Sequence, residues 1–150
     1  MQVDFYQLTR DPAEKLVPVL AQKVVDAGQR LLVISASADQ RSAISKALWL
    51  DKPDSFLAHA DSADRAGAQS NDAAQPILLH NLPDATNAAR YALIADGQWR
   101  GEIAGMERIF YLFAPEHTDD ARAAWRGLGD RDDITRKYWR QDGGRWTEGP

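Results

Sequence analysis

The residues best equipped for chemistry lie near the end of the chain. Between Ile134 and Trp146, the cations Arg136, Lys137, Arg140 and Arg145 are interleaved with Tyr138, Trp139 and Trp146, and Asp142 is the only acid. Guanidinium and ammonium groups hold phosphates or carboxylates, while ring faces hold bases or apolar side chains. Upstream, Arg122 and Arg126 stand one helical turn apart, a spacing that lets two guanidiniums grip one carboxylate-rich segment. Two ligands suit such a surface. Single-stranded DNA would stack its bases on the rings and set its phosphates by the arginines; an acidic peptide ending in an apolar residue would use the same charges plus one hydrophobic pocket. The formal net charge of −4 at pH 7 favours the peptide, because neutralising several phosphates normally takes an excess of Lys and Arg on one face. The plainer alternative is a solvated helix face beside a hairpin whose tryptophans only cover the core.

No comparable cluster exists for catalysis. His59, His80 and His117 are widely spaced, form no ligand pair of the HxxxH kind and read as capping or surface residues. Asp119-Asp120 and Asp132-Asp133 fall beside a helix start and in a turn, where acids are favoured without catalytic duty. No serine sits in a Gly-x-Ser-x-Gly elbow. The first strand-to-helix turn, Thr9-Arg10-Asp11-Pro12, has none of the glycines that let backbone amides approach a phosphate. Gly127-Leu128-Gly129 follows a helix and reads as its stop. The expectation is no catalytic residue, no metal and no cofactor. A small nucleotide-dependent enzyme is the disfavoured alternative.

The elements that must carry these residues alternate. A first strand over 3–8 precedes an amphipathic helix in which Ala13, Leu16, Val17, Leu20 and Val24 recur at helical spacing. It opens at Asp11-Pro12, with Asp11 as cap, and Pro18 predicts either a late start or a bend. Leu31 to Ile34 is a short apolar run of the kind buried on both faces of a parallel sheet. Asp39 is suited to cap a second helix, 61–75 reads as a surface loop, and 76–80, 91–95 and 107–113 read as strands. A short helix is expected over 98–106, and a helix opening at Pro115 puts Ala121, Ala124, Trp125 and Leu128 on one face. The tail reads as a hairpin turning at Asp142-Gly143-Gly144. This pattern predicts an α/β fold: a mainly parallel central sheet with helices on both faces, Rossmann-like without a nucleotide site, and a C-terminal hairpin. With 150 residues, 44% of them hydrophobic, one domain over 1–150 is expected. The lack of cysteine fits a reducing cytoplasm, and no apolar run approaches the ~20 residues that cross a bilayer.

One junction stands apart. A helix carrying Ala43, Ile44, Ala47 and Leu48 ends near Leu50, and Pro53 prevents its restart before Phe56. Trp49 lies off the Ile44–Leu48 stripe, so it either leans outward beside Phe56 or folds back over the core. The order and spacing of Trp49, Pro53, Ser55, Phe56 and His59 resemble those of the chi subunit family of the bacterial DNA polymerase III clamp-loader complex. The similarity extends to Phe5-Tyr6, Gly28-Gln29-Arg30 leading into Leu31–Ile34, Pro76-Ile77-Leu78-Leu79 and the basic, aromatic C-terminus. The segment after Leu128 departs from the best-known members of the family and is similar to a variant ending in Tyr-Trp, a Gly turn and Arg-Trp, with glycines where a tyrosine is expected one turn beyond Arg126. The resemblance implies a non-catalytic cytoplasmic accessory subunit with two protein partners and only indirect contact with DNA. It implies docking of the acidic C-terminal tail of single-stranded-DNA-binding protein through Arg122 and Arg126, with Arg136, Lys137, Tyr138, Trp139 and Arg140 as the nearby candidates. It also implies a contact of Trp49, Pro53 and Phe56 with the psi subunit of the clamp loader.

Overall fold

In the computed structural model, residues 1–9, 11–50, 59–61, 75–101, 103, 105–142 and 145–149 are described. Pro53, Ser55, Phe56 and nearly all of the expected 61–75 loop lie outside them. The chain order is β1 (Gln2–Gln7), α1 (Ala13–Asp26), β2 (Leu31–Ile34), α2 (Ala38–Leu50), β3 (His59–Asp61), β4 (Ile77–His80), β5 (Tyr91–Ile94) and β6 (Arg108–Phe113). A 3₁₀ turn (Pro115–His117), α3 (Thr118–Gly129), β7 (Thr135–Asp142) and β8 (Arg145–Glu148) follow.

The short apolar runs are buried along their whole length, as strands covered on both faces must be. They join one eight-stranded sheet in the order β3-β4-β2-β5-β6-β1-β7-β8. Every ladder is parallel except β7 with β8, which pair antiparallel as the expected terminal hairpin. Residue alternation sends Tyr6, Leu31, Val33 and Leu112 to one face, where α1 and α2 cover them. Val3, Phe5, Tyr111 and Phe113 go to the other, beneath α3 and the side chains of Ile103 and Met106. The α/β expectation therefore holds, with β1 lying between β6 and β7 and exposing one face to each helix layer.

Local details differ from the sequence reading. Residues 98–106 show no helix among those described; Gly101 and Gly105 take φ of +76° and +80°, outside the helical region. Pro12, not Asp11, occupies the cap of α1, and the helix runs through Pro18 without placing it in the first turn. α2 is capped by Ser37, whose Oγ accepts the Gln40 amide at 3.1 Å, while Asp39 sits inside the first turn. α3 continues past Gly127 and ends at Gly129.

Candidate functional site

Helix α3 forms because a Pro-led 3₁₀ turn starts it, Asp119 and Asp120 meet its positive end and Arg126 its negative end. Ala121, Ala124 and Leu128 are buried against the sheet, so Arg122 and Arg126 emerge on the exposed side with Trp125 between them. A cavity of about 310 Å³ opens there. Phe5, Phe113 and Ala121 form its apolar floor, Trp125 and Tyr138 its walls, and Arg122 and Arg126 its rim. Its remaining lining, Gln7 and Thr118, is neutral, so among the described residues the only charges facing it are the two guanidiniums. Neither arginine is held in an ion pair among the described residues.

The walls are fixed by tertiary contacts. β1 and β7 pair in a register that sets Phe5 beside Tyr138. Trp125 meets Phe5 edge to face, with ring centres 5.1 Å apart and planes at 77°, and meets Tyr138 at 6.5 Å and 81°. The Tyr138 hydroxyl donates to Gln7 Oε1. The result is an aromatic notch, open to the surface, with two cations at its mouth, a shape that takes one apolar side chain and adjacent carboxylates.

Of the sequence candidates, Arg122, Arg126 and Tyr138 converge here. Arg136 lies behind the wall, its guanidinium carbon 4.3 Å from the centre of the Trp125 ring. Arg140 shares the strand face of Tyr138 but is not part of the lining. Lys137 and Trp139 project from the opposite face of the sheet, because successive strand residues alternate. There Trp139 stacks on Tyr6 with ring centres 6.0 Å apart, and its Nε1 donates to Asp4 Oδ1 at 3.4 Å. Asp4 is fully buried and also binds Arg108 Nε at 2.6 Å, and burial, then the Asp4 charge, push the Tyr6 hydroxyl up to about 12. Trp139 and Trp146 thus cover the core on the α1 side. Trp125, on the core face by its spacing, packs on the core and also walls the cavity, and its place three residues beyond Arg122 and next to Arg126 is the sequence signal of that second role.

At the far end of α2, Trp49 is 52% exposed and stands edge-on to His59, with ring centres 5.6 Å apart at 66°. His59 Nε2 lies 2.8 Å from Ser45 Oγ. The indole leans outward instead of folding over the core.

The crevice at the carboxyl ends of the strands, where α/β folds usually bind ligands, is lined by Asp11, Glu14, Asp96 and Glu116. Beside these four carboxylates its lining includes His117 and otherwise neutral residues, and no Lys or Arg faces it among the described residues. Burial opposes ionisation of Asp96, but hydrogen bonds from Arg100 and from the Ala36 and Gln98 amides prevail and hold its carboxyl below the ordinary range. Among the described residues, no group of three or more His, Cys, Asp or Glu side chains is placed to hold a metal ion, and no helix is long and apolar enough to cross a membrane.

No curated protein matches the chain. The model of one family, described as DNA polymerase III chi subunit, HolC, matches residues 1–133, ending just before β7.

Proposed function

Because the chain belongs to the family of the DNA polymerase III chi subunit, an accessory subunit of that polymerase, we propose that it acts as a non-catalytic bridge between the clamp loader and protein-coated single-stranded DNA. Its α3 cavity docks the acidic C-terminal tail of single-stranded-DNA-binding protein, and the Trp49 region, with Pro53 and Phe56, docks the psi subunit. The bridge is thus a cytoplasmic protein that meets DNA through its partner.

The observation that carries the tail reading is the pairing of an apolar notch with two arginines that form no ion pair among the described residues, in a chain that is acidic overall. Burying one apolar or aromatic side chain contributes about 1.5–3 kcal/mol. A hydrogen bond from a guanidinium to a carboxylate contributes about 1.5–3 kcal/mol where solvent is displaced, and less than about 1 kcal/mol at an open rim. These terms suit a reversible contact that hands a tail on and off. Nucleic acid would need more cation than the cavity offers.

Fluorescence anisotropy with a labelled acidic peptide ending in phenylalanine tests this. Saturable binding is expected, weakened roughly 5- to 30-fold by Arg126→Ala and made weaker still by salt. If an oligonucleotide binds in an Arg126-dependent way and the peptide does not bind, tail docking is wrong.

A further inference from the structure

Three residues meet behind the cavity wall. The Arg136 guanidinium stacks 4.3 Å above the Trp125 ring and its Nη1 donates to the Trp125 carbonyl near the end of α3. A planar cation makes both contacts only where the neighbouring space is empty. The residue there is Gly129: a Cβ built on it would lie 2.8 Å from Arg136 Nη1 and 3.0 Å from Cζ. On its other side Trp125 is braced by Phe5.

We propose that Arg136 is a positioning residue for the α3 cavity: it does not touch the acidic peptide but fixes Trp125 as the wall against which the peptide's apolar side chain packs, and Gly129 makes room for it. The proposal rests on the tail-docking reading. The glycine that departs from the family pattern is thereby part of the site, since a Cβ there would force the guanidinium to shift off the Trp125 ring. Lysine cannot replace arginine here, because it lacks the planar fork that stacks and donates together.

Gly129→Ala tests this without altering any charge, and it substitutes a better helix former. Expected are a melting temperature unchanged or raised, a shifted Trp125 indole N–H resonance in the peptide-free protein, assigned with Trp125→Phe, and at least fivefold weaker binding of the phenylalanine-ending acidic peptide. The slope of log Kd against log salt stays as in the native protein. Arg136→Ala gives the same indole shift and loss of affinity at an unchanged salt slope, with a lower melting temperature because its stacking and hydrogen bond are lost, and Arg136→Lys stays within about threefold of Arg136→Ala in affinity. The proposal is overturned if Arg136→Ala flattens the salt slope as Arg126→Ala does, if Arg136→Lys restores affinity, or if Gly129→Ala leaves the indole resonance and affinity unmoved. A native protein that binds no peptide removes the tail reading and this proposal with it. Native binding with an unmoved indole in both variants removes the proposal alone.

Discussion

At the residue scale, the proposed contacts turn on side chains that reach the surface: Trp49 at the end of α2, and Arg122 and Arg126 on the exposed side of α3. Trp49 is 52% exposed, so Trp49→Ala forfeits little core packing and should change stability by no more than about 0.5 kcal/mol. Capture of the psi subunit should be lost, as expected for an aromatic anchor. Thermal melts run beside affinity pull-downs check this, and a large fall in melting temperature would mean that the indole serves the fold. The angle of Trp49 to Ile44 and Leu48 left an outward lean and a fold back over the core both open, and only its exposure decides for the first, whereas the arginine pair was legible from its one-turn spacing. Arg136 was not legible as a wall support. Its role comes from a strand residue reaching a helix carbonyl past Gly129, a contact that no local spacing encodes.

At the element scale, β7 shows how one basic, aromatic stretch becomes two surfaces. Its alternation was visible in the sequence, but which register it would take beside β1 was not, and that register sends Tyr138 to the α3 cavity and Trp139 to the α1 side. The segment after β5, where a short helix was expected over 98–106, shows none among its described residues. Asp96 and Arg100 stand four apart, as in a helical ion pair, yet they clamp a non-helical loop at 2.6 Å while Gly101 and Gly105 turn it. Because the folded Asp96 carboxyl ionises more readily than its ordinary value of 3.8, the clamp's contribution is present above that pH and lost as pH falls below it toward the folded value. Melting temperatures measured from pH 6 to pH 3 should therefore drop more steeply for the native chain than for Asp96→Asn. Parallel curves would show that the clamp adds nothing to stability.

At the scale of the whole molecule, the strand order separates the two proposed faces. The sheet runs β3-β4-β2-β5-β6-β1-β7-β8, so five strand spacings, roughly 24 Å at ~4.8 Å each, lie between β3, beside Trp49, and β1, beneath the α3 cavity. The Trp49 helix covers one face of the sheet and α3 the other. The layered α/β class followed from unbroken apolar runs such as Leu31–Ile34. This separation did not, because it depends on β1 inserting between β6 and β7. Two partners held so far apart should bind without interfering. The most direct measurement is size-exclusion chromatography of the chain with psi subunit and labelled acidic tail peptide together. All three should co-elute, with Trp49→Ala releasing only psi and Arg126→Ala releasing only the peptide. Mutual displacement of the two partners, or loss of both through either substitution, would contradict a two-faced bridge.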